Sequence, residues 1–297
     1  MFQQTVPRRL VHREAVSEVF LTDIVKLTSD SFLVGAQWPR SHSFFGLRSG
    51  RSHDPMLVAE TIRQAGLLVA HEGFSIGEDV KFLSHAKSFQ VTQAGLELRD
   101  TVASIALMVK CHDIKRRRDQ VGGMSLQFSA YRDGERIATA DARMSCVPPR
   151  LYMRLRGVRA FVDGPPAVIP EPVRPCLVGR DAEADVVLAE TLMPDTWLLR
   201  LDRRHPVMFE HSVDHVPGMA VIEAGRQAAH LMLGRTGMIL LSCDFSFAQY
   251  VDLDEPCLVT GTVLADDGDS ASVRVVFVQG GAEVAVGVLN VHEDLSA

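Results

Sequence analysis

The chain contains one helix motif twice. HDPMLVAETIRQAGLLVAH (His53–His71) and DHVPGMAVIEAGRQAAH (Asp214–His230) each carry a glutamate, an arginine three residues later and a glutamine one step beyond. At one constant separation of 163 residues Arg40 meets Arg203, His42 meets His205, Met56 meets Met219 and Val58 meets Val221. Glu60 then meets Glu223, Arg63 meets Arg226, Gln64 meets Gln227 and Ala65 meets Ala228, without a gap. After the helix the separation shortens to 158 and pairs Ser84 with Ser242, Ser88 with Ser246 and Phe89 with Phe247. Polar residues held in register over such a length mark a duplicated unit whose loops have changed length. Whatever this chain folds into, it is built twice.

Half of the fourteen prolines lie between Pro148 and Pro175. Proline fixes φ and removes a backbone donor, so this region is expected to lack a regular helix or central strand. The expected organisation is an N-terminal domain at 1–147, an extended connector at 148–178 and a C-terminal domain at 179–297. Each half has one helix, near 55–71 and 218–233. Around it, strand-like segments dominate: 101–112, 125–131 and 136–146 in the first half, 257–264, 272–279 and 283–291 in the second. Asp133-Gly134 and Gly280-Gly281 sit between such runs and are expected to form hairpin turns. A strongly bent antiparallel sheet wrapped around a single long helix buries an apolar helix of this kind. The expected fold class is therefore α+β, a double hot-dog, with one chain forming the pseudo-dimer that two single units would otherwise form. Further oligomerisation is left open.

Composition narrows the function classes. A net charge of −6 gives no general attraction to nucleic acid or membranes. The basic run at 115–118 has no interleaved aromatic residues for stacking on bases. No apolar run has the length of a membrane span, and the N-terminal stretch has none of signal-peptide length, so a cytoplasmic protein is expected. Five scattered cysteines without CxxC spacing suggest reduced thiols and no metal site.

The polar stripe allows two interpretations. Glu223, Arg226 and Gln227 share one helix face, as do Glu60, Arg63 and Gln64. Such a stripe is either an ion pair that satisfies itself and ties the halves together, or the polar wall of a pocket at their seam. The residues before the second helix favour chemistry. Asp214-His215-Val216-Pro217-Gly218-Met219 places free helix N–H groups after a Pro-Gly step, suited to an oxyanion or a phosphate. His42 and His205 each precede the helix glutamate by eighteen residues and are expected to shape the pocket wall.

These residues resemble a known family. HVPGMAVIEAGRQ and HDPMLVAETIRQAG, with VGAQWPRSHSFF (34–45), DTWLLRLDRRHPVMF (195–209) and SFAQYVDLDEPC (246–257), look like the A-factor biosynthesis family, synthases of γ-butyrolactone-type bacterial autoregulators. The resemblance covers nearly the whole chain, in order. It implies transfer of a β-ketoacyl group from an acyl-carrier-protein thioester to dihydroxyacetone phosphate, giving a butenolide-type precursor, with no metal or organic cofactor. The family's functional helix positions fall on Glu60, Glu223 and Arg226. In that chemistry Glu223 is the expected general base, with Glu60 and His205 as further catalytic candidates. Arg226 is the expected phosphate anchor, and Gly218 and Met219 are the expected oxyanion donors. Arg63, Gln64, Gln227, His42 and His215 are expected at the substrate. Asp54 beside the first helix would repel an anion, so the second copy is expected to dominate catalysis. PGMAVIEAGRQ is also similar, more distantly, to the helix of acyl-carrier-protein β-hydroxyacyl dehydratases, but the histidine spacing departs from theirs. A hot-dog thioesterase or dehydratase and a non-catalytic ligand-binding homologue are the alternatives.

Overall fold

The computed structural model describes residues 1–46, 50–117, 120–161 and 169–294. It divides into two compact units, Met1–Gly46 with Ser52–Gly157, and Leu47–Arg51 with Val158–Ala297.

The first unit opens with the hairpin β1 (Leu21–Lys26) and β2 (Ser31–Trp38). Helix α1 (Met56–Leu68) follows and continues as a π turn over Val69–Gly73. Then come β3 (Lys81–Val91), the single turn α2 (Gln93–Leu96), and the meander β4 (Ala103–Arg117), β5 (Gln120–Arg132) and β6 (Glu135–Val147), closed by α3 (Pro149–Arg156). Its strands are antiparallel, in the order β1-β2-β4-β5-β6-β3.

The second unit repeats the plan. It has β7 (Leu188–Glu190), β8 (Thr196–Leu199), α4 (Gly218–Leu233), β9 (Met238–Phe247), β10 (Cys257–Asp266), β11 (Ser270–Gln279) and β12 (Ala282–Glu293). Its strand order, β9-β12-β11-β10-β8-β7, is that of the first unit counted from the other edge. This is the double hot-dog, an α+β fold.

Burial explains why each sheet closes on its helix. In α1, Met56, Leu57, Ala59, Ala65 and Ala70 beyond it are wholly buried, and in α4 so are Ala220, Ile222, Ala224, Ala228 and Ala229. A helix that is apolar all round but for one polar stripe must be enclosed. The strands supply alternating inner faces, such as Ala103, Ile105, Leu107, Val109 and Cys111 along β4. Asp133 and Gly134 have φ of 52° and 85°, and Gly280 and Gly281 have 59° and 78°. Both central residues of each two-residue turn are left-handed, as the expected hairpins require.

Two expectations are corrected. Each unit is more than a helix followed by a meander, because short strand pairs (β1–β2 and β7–β8) precede the helix and complete the sheet. The connector is also not free of regular helix: α3 occupies 149–156 within it. Pro148 is its N-cap and Pro149 its first residue, where a missing N–H costs nothing, and of the seven residues after them all but Tyr152 are good helix formers.

Candidate active site

The polar stripe is a closed hydrogen-bonded knot in each unit. Glu223 is wholly buried. Its carboxylate accepts from Arg226 Nε at 2.9 Å and Nη2 at 3.0 Å, from Gln227 Nε2 at 2.7 Å and from Arg180 Nε at 3.0 Å. Glu60, also wholly buried, accepts from Arg63 Nε at 2.9 Å and Nη2 at 2.8 Å, Gln64 Nε2 at 2.7 Å and Arg13 Nε at 3.1 Å. Burial alone would push both carboxyls up. The two guanidinium charges on each, Arg180 and Arg226 or Arg13 and Arg63, outweigh it. The pKa of Glu223 falls to about 2, and that of Glu60 falls well below the usual carboxylate range.

Each knot fastens the segment before β1 or β7 to its helix. Gln227 donates to Asp185 O at 2.8 Å and accepts from Val187 N at 2.9 Å. Gln64 does the same with Glu18 O at 2.7 Å and Phe20 N at 3.0 Å. The paired histidines, which lie between the second strand of each unit and its helix, reach these segments too. His205 accepts from the amides of Val207 and Met208 at Nδ1 and sits 3.0 Å from Asp185 through Nε2. His42 accepts from Phe44 and Phe45 and lies 3.3 Å from Glu18. With Nδ1 accepting, the hydrogen of each ring is on Nε2 and is directed at the carboxylate.

The structure therefore brings together Glu223, Arg226, Gln227 and, through Asp185, His205. It does the same for Glu60, Arg63, Gln64 and His42. The sequence reading made Glu223 a proton acceptor, Arg226 a phosphate anchor and His205 catalytic. In the structure their polar atoms are engaged with one another and shielded from solvent, so the geometry gives them a holding role. Arg13 and Arg180 were missed. Their signal is a third register: at a separation of 167 residues Val6 meets Val173, Leu10 meets Leu177, Val11 meets Val178, Arg13 meets Arg180 and Glu18 meets Asp185.

His215, Gly218 and Met219 form a separate group at the start of α4. Pro217 is the N-cap and no side chain caps the helix. Its carbonyl accepts from Ala220 and Val221. The amides of Gly218 and Met219 lie ahead of the first intrahelical bond, at the positive end of the helix dipole, on half-buried residues. His215 holds Asp214 through Nδ1 at 2.8 Å, packs edge-on against Tyr250 with centroids 4.8 Å apart, and keeps 30% of its side chain exposed. A backbone bridge to Asp252 fixes it. Helix α1 starts differently: Asp54 Oδ1 takes the amide of Met56 at 2.9 Å. The first copy caps its own helix with a carboxylate, and the second leaves its helix start uncapped.

A sequence profile of the A-factor biosynthesis hotdog domain matches residues 1–148 and 164–292. The chain is 41% identical to a 2-oxo-3-(phosphooxy)propyl 3-oxoalkanoate synthase of Streptomyces virginiae, over 91% of this chain and 92% of that one. It is 35% identical to a synthase of the same name from Streptomyces coelicolor, over 93% and 87%. Among solved structures it resembles the 12:0-ACP thioesterase from Umbellularia californica, with a TM-score of 0.55, 12% identity and coverage of 88% and 97%. An acyl-ACP thioesterase from Bacteroides thetaiotaomicron gives a TM-score of 0.53 at 12% identity, with coverage of 88% and 98%. At that identity the likeness is one of fold.

Proposed function

This chain belongs to the A-factor biosynthesis family, and we propose that it transfers a 3-oxoacyl group from a thioester to the hydroxyl of dihydroxyacetone phosphate. The product is the ester for which the Streptomyces relatives are named, a precursor of a butenolide-type signal. The observation that carries the mechanism is the uncapped start of α4 beside the His215–Asp214 pair. Asp214 holds the N–H of the imidazole at Nδ1, which leaves Nε2 as the basic atom. Nε2 accepts the proton of the acceptor hydroxyl as its oxygen attacks the thioester carbonyl carbon. The carbonyl becomes an oxyanion, which the amides of Gly218 and Met219 receive in this proposal. Collapse breaks the carbon–sulfur bond, and the departing thiolate takes the proton back from His215. The Glu223 knot holds α4 rigidly in line with this work. The self-capped start of α1 makes the first copy the poorer seat for the oxyanion.

The donor is carried by acyl carrier protein in this proposal, and the reaction is cytoplasmic. Among the described residues no helix is long and apolar enough to cross a membrane. Following thiol release from a 3-oxoacyl thioester, with and without dihydroxyacetone phosphate, tests the proposal. Release should depend on the acceptor. Equal release without it, with free acid accumulating, would make the chain a thioesterase.

A further inference from the structure

The end of the β4–β5 hairpin carries a group of cations that the fold does not ask for. Lys115, Arg116 and Arg117 close β4, and all three are exposed. Across the sheet Lys115 is in register with Gly123 of β5, and Gly123 with Ser145 of β6. Arg143 is exposed two residues before Ser145, and so on the same face. His85 of β3 reaches that face too, its Nε2 lying 2.7 Å from Ser145 Oγ. Burial, and then the charges of Arg143 and Lys115, push the pKa of His85 down, as expected where both cations crowd one patch.

Among the described residues, the side chains of Lys115, Arg116, Arg117 and Arg143 make no ion pair or hydrogen bond. Of the nearby carboxylates on β4 and β6, Asp113 is held by His112 at 3.0 Å and Asp141 makes no pair with Arg143. The second unit closes the equivalent β10–β11 hairpin with the opposite sign. Val109 pairs with Phe128 as Val259 pairs with Phe277. Counted along the strand from these pairs, Arg116 and Arg117 stand where Asp266 and Asp267 stand. Those aspartates are engaged within their own turn. Asp266 takes Arg235 at 2.6 Å, and Asp267 takes the amide and the hydroxyl of Ser270 at 2.7 and 3.0 Å. One fold therefore accepts either charge at this place. In a chain of net charge −6, four unpaired cations on one face make a surface complementary to an acidic partner.

We propose that this face of the first unit docks an acidic protein, the acyl carrier protein that delivers the 3-oxoacyl thioester, with Arg116 and Arg117 as its principal contacts. The proposal rests on the acyl-transfer function above and adds the surface at which the donor arrives. Gly123, Ser125 and Ser145 lie between the cations, small and uncharged, so a protein surface bearing carboxylates can approach closely enough for each guanidinium to take one. A lipid bilayer suits the patch less well, since these residues offer no large apolar side chain to insert. Single-stranded nucleic acid calls for aromatic side chains among the cations, and the run at 115–118 has none.

The test compares two donors of the same 3-oxoacyl group, one carried by the holo acyl carrier protein of fatty-acid synthesis and one by pantetheine. Arg116→Asp with Arg117→Asp copies the residues that the second unit carries at the same places. KM for the carrier-borne donor should rise roughly tenfold or more in this variant, while kcat and the KM for the pantetheine donor stay unchanged. Arg143→Glu, on another strand, should move the same KM in the same direction, so instability of one variant does not hide the result. In the wild type, added salt should weaken the carrier-borne donor and spare the pantetheine one. An unchanged KM for the carrier-borne donor in both folded variants would overturn the proposal. So would wild-type protein that binds vesicles of anionic phospholipid through these arginines and does not bind carrier protein. Failure of the transfer function looks different: calorimetric titration with the carrier protein would still show binding that the variants lose, but no ester would form from either donor.

Discussion

Arg180 donates from Nε to Glu223 at 3.0 Å, bringing together residues 43 apart in the chain, and Arg13 makes the same bond to Glu60 at 3.1 Å across 47. Each carboxylate therefore answers to one arginine from its own helix and one from the segment that lies over it. This relationship gives an otherwise apolar helix a structural use for its charged stripe. The stripe bonds the helix to the segment that precedes the first strand of its unit.

Removing that carboxylate leaves two buried guanidinium groups without their counter-charge. Glu223→Gln is expected to cost about 3–5 kcal/mol of stability, with activity falling alongside. Adding Arg180→Met to Glu223→Gln should restore part of the loss, since the second change removes one stranded charge. Denaturant unfolding of the two single variants and the double variant measures this. A fully stable Glu223→Gln protein with no turnover would instead return the carboxylate to the role of general base.

Stability should depend on pH with a definite sign. Burial, followed by Arg132 for one and Arg226 for the other, pushes His53 and His230 down to about 4 from an ordinary 6.5. The unfolded chain binds protons at these histidines first, so stability is full above about 6.5 and declines as the pH falls toward 4. Glu223 adds a second loss below about 4.5, as protonation approaches its folded value of about 2. Calorimetry between pH 8 and 4 should show Tm constant above the histidine range and decreasing below it. A flat Tm down to pH 4 would contradict the buried neutral histidines.

His215→Asn removes the proposed base at a half-exposed position. Turnover should fall by about a hundredfold or more, with little change in Tm. Unchanged turnover in the folded variant would assign the proton to another residue.

Gly218 has no packing reason to be glycine. Its φ is not left-handed, and an added Cβ would meet Phe247 only at 3.8 Å, an ordinary contact. The remaining reason is close approach of a reacting group to its amide. Gly218→Ala should fold at least as well as the wild type and lose roughly tenfold or more in kcat/KM for the thioester. Full activity in this variant would remove the start of α4 from the site.

Much of this was legible in the sequence, for physical reasons. The two helices announced themselves because a duplicated polar set inside an apolar helix does not drift. The hairpins at Asp133-Gly134 and Gly280-Gly281 were visible because left-handed turns demand those residues. Strands β1, β7 and β8 were not, because they are short, and β2, β3 and β9 were not either, because at 8, 11 and 10 residues their buried positions do not alternate cleanly. Helix α3 was hidden by a rule that holds inside helices but not at their first turn. Arg13 and Arg180 were missed because the loops between them and the glutamates differ in length, which breaks the register that revealed the rest. Which polar residues were bonded to each other, and so withdrawn from solvent, depended on the packing of segments far apart in the chain.

The most direct measurement is mass spectrometry of the mixture after wild-type protein meets a 3-oxoacyl thioester and dihydroxyacetone phosphate together. The expected product has the mass of the acyl ester of dihydroxyacetone phosphate, or of that ester less one water after ring closure, and it is absent when either substrate is left out. Free 3-oxo acid as the sole new species, whether or not the phosphorylated acceptor is present, would contradict the account.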